Sequence, residues 1–129
     1  MAQPGILVLV RHGASEWNIK KIFTGWIDIP LAQEGRQEAH QAAEKLRAYH
    51  FDVAFTSTLL RSRETLDIML EDLGQANIPV SKDKALNARH YGDLQGKSKD
   101  EMRKQFGEHQ VHLWRRSYDV APPNGESLK

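Results

Sequence analysis

The sequence contains no cysteine, which excludes disulfide bonds and thiol catalysis and fits a reducing compartment. The longest strand-like apolar run, Ile6–Val10, is too short to span a membrane or to form the core of a signal peptide. The formal net charge is only +1, so overall electrostatics do not favour a general nucleic-acid-binding protein. These absences predict a cytoplasmic protein with neither nucleic-acid nor membrane partners.

What is present is the composition of an ordinary globular domain. Of the 129 residues, 40% are hydrophobic and 27% are charged, which is enough apolar material for one core. No internal repeat, low-complexity segment or linker divides the chain. We therefore predict a single domain over residues 1–129.

Strand-like and helix-like patterns alternate along the first two thirds of the chain. Ile6–Val10 is apolar without alternation, which predicts a strand buried on both faces of a parallel sheet. Further strands are predicted at Phe51–Phe55 and Ile78–Ser81, and amphipathic helices at Leu31–Tyr49 and Thr58–Leu73. This order predicts an α/β fold with right-handed crossovers and a mainly parallel central sheet.

The last third of the chain has helix start and stop signals. Ser98 and Glu101 have the spacing of a capping box, and Gly107 is a suitable residue to end the helix that follows. A second helix is predicted over Glu108–Tyr118, before Pro122. The sequence thus predicts two consecutive helices that follow the last strand.

Polar side chains collect at the predicted strand ends, helix starts and connecting loops, where ligands of α/β proteins bind. Several arginines in a chain of almost no net charge predict a locally positive pocket for a small ligand with more than one phosphate or carboxylate group. A histidine in such a pocket can either carry protons or attack phosphorus. The residues concerned are Arg11, His12, Asn18, Thr24, Arg61, Arg89, His90, Tyr91, Lys99, Arg115 and Arg116.

Each of these residues also has a simpler interpretation. The Arg-His-Gly tripeptide at 11–13 is also what a polar strand end with a turn glycine requires. Arg61 has Glu64 nearby in sequence as a surface partner, and Arg115 and Arg116 suit the solvated face of a helix. The residue pattern by itself leaves these alternatives open.

A metal site is not predicted. The chain has six histidines, but His109 and His112 are the one close pair, and no carboxylate cluster accompanies them in the spacing of known sites.

Five blocks of sequence together resemble the cofactor-dependent phosphoglycerate mutases of the histidine phosphatase superfamily. They occur in the family's order along the whole chain, and the later blocks distinguish the mutase branch from the wider superfamily. The blocks are Leu9-Val10-Arg11-His12-Gly13-Ala14-Ser15-Glu16-Trp17-Asn18, Phe23-Thr24-Gly25-Trp26, Thr56-Ser57-Thr58-Leu59-Leu60-Arg61, Arg89-His90-Tyr91-Gly92-Asp93-Leu94-Gln95-Gly96 and Trp114-Arg115-Arg116.

The resemblance implies a phosphoglycerate-mutase-like three-layer sandwich and a glycolytic and gluconeogenic isomerase. Its expected reaction interconverts 3-phosphoglycerate and 2-phosphoglycerate through a phosphohistidine, primed by 2,3-bisphosphoglycerate and without a metal. By this resemblance His12 is the phosphoryl acceptor, and Arg11 and Arg61 bind the transferring group. The substrate-binding residues it implies are Arg11, Ser15, Asn18, Thr24, Gly25, Arg61, Arg89, Tyr91, Lys99, Arg115 and Arg116.

The chain departs from the family pattern at two places. The family has a glutamate that serves as acid and base immediately before Arg89, whereas this sequence has Ala88, and a methyl group cannot exchange protons. The family also continues to a second His-Gly-Asn segment, which the 129 residues lack. We therefore expect a domain truncated on its carboxyl-terminal side, with an incomplete sheet.

These departures leave two alternatives beside the mutase. One is a histidine-type phosphatase that passes the phosphoryl group from His12 to water. The other is a non-catalytic relative that binds a phosphorylated metabolite. The expected partners are a small phosphorylated substrate and either a second copy of the chain or a complementary carboxyl-terminal chain.

Overall fold

The computed structural model describes residues 5–129. Its regular structure is mostly helical, with two short strands. The elements in chain order are α1 (Glu16–Ile19), α2 (Gln33–Lys45), β1 (Ala54–Thr56), α3 (Leu60–Asp72), β2 (Val80–Lys82), α4 (Lys99–Phe106) and α5 (Glu108–Arg116). Two single turns of 3₁₀ helix, Lys84–Leu86 and Gly92–Leu94, lie between β2 and α4.

The two strands and the helix between them form a parallel β-α-β unit. β1 pairs with β2 in parallel, with Ala54 opposite Val80 and Thr56 opposite Lys82. This confirms the predicted parallel pairing, although each strand ends one residue later than the sequence pattern indicated. Because the strands are parallel, their carboxyl ends meet at one edge, from which α3 begins.

The predicted strand at Ile6–Val10 was wrong for the part of the chain that the structure describes. The segment has no ladder partner there, and Ile6, Leu7 and Leu9 are 76%, 80% and 85% exposed. An apolar run indicates that a segment tends to be buried. A strand also needs a neighbouring strand whose backbone pairs with its N–H and C=O groups. Arg11 and His12 nevertheless follow this segment directly, as the sequence indicated.

Helices α2 and α3 pack against each other through small side chains. Ala39 and Ala43 of α2 are almost completely buried against Met69 of α3, and the alanines allow the helix backbones to approach closely. An ion pair between Arg36 and Glu64 also joins the two helices. α2 is shorter than the helix predicted over residues 31–49 because its last turn opens after Lys45.

The amino terminus of α3 receives its cap from a distant loop. Leu59 is the N-cap residue and gives no side-chain bond, while the carboxylate of Asp28 accepts a hydrogen bond from the Leu60 N–H at 2.6 Å. A carboxylate here satisfies an otherwise unpaired N–H and faces the positive end of the helix dipole. The loop around Asp28 is thereby anchored beside Arg61.

A second core lies under α4 and α5. Phe23 from the loop packs with Leu94, Met102, Val111 and Trp114. The predicted start and stop of α4 are confirmed by a 3.4 Å hydrogen bond from the Glu101 N–H to the Ser98 hydroxyl and by Gly107 at φ +86°. Within residues 5–129, no helix has both the length and the apolar character needed to cross a membrane.

Candidate functional site

A cavity of about 390 Å³ opens beside the segment that follows residue 10. Four of the residues singled out in the sequence line it, namely Arg11, His12, Asn18 and Lys99. The remaining lining residues come mostly from α2 and α3 and were not predicted: Gly13, Ala14, Glu38, Ala39, Ala42 and Thr65. The cavity therefore brings the start, the middle and the last third of the chain together around His12.

The ring of His12 is held in one tautomer by its neighbour. Its Nδ1 lies 2.6 Å from the Gly13 carbonyl oxygen. A carbonyl oxygen can only accept a hydrogen bond, so the neutral ring carries its proton on Nδ1. The lone pair is then on Nε2, which is the arrangement that a nitrogen nucleophile requires.

The surroundings of His12 favour its neutral form. Burial lowers the pKa of His12 below the ordinary value of 6.5, and the positive charges of Arg61 and Arg11 lower it further. The Gly13 carbonyl and the Glu38 carboxylate act in the opposite direction but do not reverse the result. At neutral pH the imidazole is therefore uncharged and Nε2 is available.

Arg61 is a buried cation whose side chain is fixed by backbone carbonyls. The residue is 2% exposed, and its guanidinium donates hydrogen bonds to the Gly25 oxygen at 2.7 Å and the Ile27 oxygen at 3.2 Å. Burial lowers the pKa of Arg61, with Asp28 opposing the effect, yet a guanidinium remains charged at neutral pH. The simple surface pairing with Glu64 was wrong, since Glu64 pairs with Arg36.

The loop that contains Gly25 is fitted closely against the segment before α4. Gly25 has φ +57°, and a Cβ there would lie 2.1 Å from the Gln95 Oε1. The same oxygen accepts a hydrogen bond from the Trp26 N–H at 2.9 Å. The Trp26 indole N–H donates to the Ala88 carbonyl at 2.6 Å. The positive φ favours glycine at this position, and a side chain there would also have to displace the Gln95 amide.

A second group of cationic residues lies on the α5 side of the molecule. Arg89 donates to the Arg115 carbonyl at 3.0 Å, and its guanidinium carbon lies 4.6 Å from the centre of the Tyr91 ring. Two buried donors in this group, Arg89 Nη1 and Arg115 Nε, have no hydrogen-bond partner among residues 5–129. Buried donors are normally paired, so these two atoms suit the acceptor oxygens of an anionic ligand.

Lys99 connects the two groups of charges. Its side chain lines the cavity of His12, and its Nζ lies 5.7 Å from the centre of the Phe23 ring. Burial lowers the pKa of Lys99, and the positive charges around it lower the pKa further. Those charges belong to Arg115, Arg103, Arg116 and Arg11. The local field is thus strongly positive in a protein whose formal net charge is +1.

Three of the predicted binding residues also have local structural roles. Ser15 is fully buried and caps α1, accepting from the Asn18 N–H at 3.2 Å, while the Asn18 side chain accepts from the Ser15 N–H at 2.9 Å. The Thr24 hydroxyl donates to the Ile22 carbonyl at 3.3 Å. Of these three, only Asn18 borders the cavity.

Two polar residues at the cavity were missed by the sequence analysis. The Glu38 carboxylate accepts from the Ala14 N–H at 3.1 Å, and the Thr65 hydroxyl accepts from the Gly13 N–H at 3.1 Å. Glu38 and Ala42 are one helical turn apart and so share a face of α2, which is the signal that could have found this side of the site. Within residues 5–129, no group of three or more side chains of metal-ligating type is assembled.

Comparison with known proteins gives a consistent result. The family model described as histidine phosphatase superfamily (branch 1) matches residues 7–129. The protein named 2,3-bisphosphoglycerate-dependent phosphoglycerate mutase from Rhodopseudomonas palustris (strain BisB18) is 61% identical over 126 residues, which are 96% of this chain and 61% of that protein. The chain thus spans about three fifths of the length of the curated relatives it matches.

Solved structures with the same fold include proteins of different names. Bacillus stearothermophilus YhfR has a TM-score of 0.79 at 36% identity, over 92% of this chain and 57% of that one. Phosphoglycerate mutase from Bacillus anthracis has a TM-score of 0.72 at 26% identity, over 82% of this chain and 49% of the other. The predicted phosphoglycerate-mutase-like α/β fold is thereby confirmed.

Proposed function

Because the chain belongs to branch 1 of the histidine phosphatase superfamily, we propose that it serves the interconversion of 3-phosphoglycerate and 2-phosphoglycerate in glycolysis and gluconeogenesis. The observation that carries the proposal is the state of His12. Its Nδ1 is bound to the Gly13 carbonyl, and its pKa is lowered in a cavity that it shares with Arg11 and Lys99. A neutral imidazole beside cationic side chains suits phosphoryl transfer.

In the proposed step, the lone pair of His12 Nε2 attacks phosphorus. The N–P bond forms while the P–O bond to the leaving oxygen breaks, and the electron pair of that bond stays on the oxygen. Arg11 and Arg61 would offset the negative charge of the transferring group. The cost of reorganising Arg61 would be low because two carbonyls already hold its guanidinium. The reverse step returns the phosphoryl group to the other oxygen of the glycerate.

We propose that the remaining predicted residues bind the substrate. The two unpaired buried donors on Arg89 and Arg115 support this assignment for the α5 side, because a phosphate or carboxylate would satisfy both. The exposed Arg116 and the half-buried Lys99 add charge at the same place. The proposed set is Ser15, Asn18, Thr24, Gly25, Arg89, Tyr91, Lys99, Arg115 and Arg116.

The same donors fit 2,3-bisphosphoglycerate, on which the similar mutase from Rhodopseudomonas palustris depends by name. A ligand with two phosphoryl groups and a carboxylate suits several cations, of which Arg11 and Lys99 line the cavity of His12. When bound, 2,3-bisphosphoglycerate would supply the phosphoryl group that primes His12. No metal is part of the proposed reaction.

Ala88 limits the proposed activity. Its side chain is a methyl group on an exposed residue, so it cannot take a proton from the substrate hydroxyl or return it. Asp93 is a neighbouring carboxylate, but the Asn124 amide already donates to it at 2.9 Å. We therefore propose that this chain forms the phosphohistidine more readily than it completes the isomerisation.

We also propose that the apolar segment at Ile6–Val10 takes a partner strand. The support is the exposure of Ile6, Leu7 and Leu9 together with the lack of a ladder partner for this segment among residues 5–129, because an exposed apolar segment of this kind is stabilised when a neighbouring strand covers it. A complementary carboxyl-terminal chain and a second copy are the two candidates, and the molar mass of the chain in solution separates them. A cytoplasmic location, consistent with the cysteine-free sequence, completes the proposal.

The decisive experiment is incubation of the chain with 2,3-bisphosphoglycerate labelled with ³²P. We expect acid-labile label on His12 and none in a His12→Gln variant, because the amide retains a similar size but offers no nucleophilic nitrogen. Absence of label from the wild-type chain would contradict the proposal. Phosphate release without formation of 2-phosphoglycerate would favour the phosphatase alternative instead.

A further inference from the structure

The backbone that orients His12 is itself held from α3. Thr65 is buried, with 5% of the residue exposed, and its hydroxyl accepts a hydrogen bond from the Gly13 N–H at 3.1 Å. The same hydroxyl donates to the Arg61 carbonyl at 2.7 Å, one turn earlier in α3. With one bond donated and one accepted, the hydroxyl has its hydrogen aimed at Arg61 and a lone pair aimed at Gly13.

Gly13 is also confined from the opposite side. A Cβ on Gly13 would lie 2.2 Å from the Gly35 carbonyl oxygen in α2, and a Cβ on Gly35 would lie 2.0 Å from the Ala14 carbonyl oxygen. These are contacts between backbone atoms, which cannot rotate aside as a side chain does. The Gly13 residue is therefore enclosed between α2 and the hydroxyl of Thr65.

The enclosure of Gly13 determines which tautomer the His12 ring adopts. The Gly13 carbonyl is the acceptor that keeps the proton of His12 on Nδ1, and the Gly13 N–H is the group that Thr65 holds. The Gly13 N–H and carbonyl lie in the two peptide planes that meet at its Cα; Thr65 holds the first plane, and Glu38 holds the second through the Ala14 N–H. A change in the Gly13 φ and ψ that releases the first plane also displaces the second. Without a partner for the buried N–H, the residue gains by turning that N–H toward water, and the carbonyl then leaves Nδ1.

We propose that Thr65 is a positioning residue for phosphoryl transfer, which fixes the Gly13 backbone so that its carbonyl selects the Nδ1–H tautomer of His12. The proposal deepens the proposed function, on which its catalytic part rests. Thr65 makes no contact with reacting atoms in this role. It acts through Gly13, and the same hydroxyl links the position of His12 to that of Arg61.

The test compares Thr65→Val with Thr65→Ser in the full chain. Valine keeps the branched shape but has no hydroxyl, and serine keeps the hydroxyl. The first measurement is the ¹⁵N spectrum of the histidine rings, in which His12 is assigned by the loss of its signals in His12→Gln. We expect the Nδ1–H tautomer in the wild type and Thr65→Ser, and a shift toward the Nε2–H tautomer in Thr65→Val.

The second measurement is the rate of ³²P transfer from 2,3-bisphosphoglycerate to His12. Loss of the positioning bond is expected to slow labelling by about 10- to 100-fold in Thr65→Val, as small misplacements of reacting groups do, with most of the activity restored by serine. Met69→Ala is the matched control, because it removes a buried side chain one turn further along α3. We expect it to lower stability without changing the tautomer.

The outcomes separate this inference from the proposed function. An unchanged His12 tautomer in a folded Thr65→Val variant, or an equal tautomer change in Met69→Ala, overturns the positioning role. A changed tautomer in a chain that never takes up label preserves the positioning role and contradicts the transfer reaction. If the valine variant does not fold, the same question can be tested on the wild-type chain. Rapid hydrogen exchange at the Gly13 amide together with an Nε2–H tautomer of His12 would overturn the inference.

Discussion

The two sides of the candidate site differ in how completely their polar groups are paired. On the His12 side, Gly13, Arg61 and Thr65 bind one another and the neighbouring backbone. On the α5 side, buried donors of Arg89 and Arg115 have no partner within residues 5–129. Pairing fixes geometry in advance, whereas unpaired donors gain energy when a ligand arrives. This difference supports the proposals that the first side positions His12 and that the second side binds an anion.

The largest effect is expected from adding a carboxylate on the α5 side. Ala88→Glu would supply the acid and base that the methyl group lacks, and general acid–base catalysis contributes about 10² to 10⁴ in rate. We expect 2-phosphoglycerate formation to rise by that order, measured in a coupled enolase assay. Ala88→Gln is the matched control, since it has the same length without a titratable group. An equal gain in both variants would show that size and not proton transfer limits turnover.

Removing the buried cation on the His12 side should have the next largest effect. Arg61→Met fills similar space but leaves the Gly25 and Ile27 carbonyls without their donor and the transferring group without its charge. Labelling of His12 is expected to slow by about 10² to 10³, which is the usual effect of losing one electrostatic contact to a transition state. Arg61→Lys keeps the charge and should be slowed less. Equal rates for Arg61→Met and the wild type would contradict a role for Arg61 in transfer.

Removing one of the unpaired donors is expected to have a smaller effect, which is limited to the affinity for the ligand. Arg89→Leu removes Nη1, and the loss of one charge-assisted hydrogen bond of about 1.5–3 kcal/mol should weaken the affinity for 3-phosphoglycerate by roughly tenfold or more. Isothermal titration calorimetry gives the affinity, and the ring ¹⁵N spectrum should show an unchanged tautomer of His12. A changed tautomer would mean that the two sides of the site are not independent.

The smallest expected effect is on the pH dependence of labelling. Burial and the charges of Arg61 and Arg11 lower the pKa of His12 below the ordinary value of 6.5. The ring therefore stays neutral, with Nε2 unprotonated, down to a pH below 6.5. The labelling rate should therefore be constant near neutrality and fall only as the pH drops through that lowered pKa. In Arg61→Met the midpoint should move upward. A wild-type midpoint above pH 6.5 would contradict the lowered pKa.

Local sequence signals predicted α2 to α5 but not the short α1. A cap or stop residue and the helix end that it determines lie within one turn of each other. The stop of α4 at Gly107, which has a positive φ, is an example. The cap of α3 was missed because its donor and acceptor, Leu60 and Asp28, are 32 residues apart. Ile6–Val10 failed for a related reason, since burial and pairing of a strand depend on residues elsewhere in the chain.

The same distinction holds within the candidate site. Arg11, His12, Asn18 and Lys99 were recognisable because their chemistry is in the side chain, and the cavity brings them together. Thr65 was not recognisable, since its role depends on a bond to Gly13 across 52 residues. The binding and catalytic roles of the predicted residues remain predictions, which the variants above address.

The close approach of Gly13 and Gly35 also constrains how this protein could be altered. Neither glycine can accept a side chain unless α2 or the loop after residue 10 shifts, and α2 carries Glu38, Ala39 and Ala42 along one wall of the cavity. A single methyl group on Gly35, which does not line the cavity, would therefore reshape the cavity indirectly. Any redesign of its specificity has to treat the loop after residue 10 and the whole of α2 as one inseparable part.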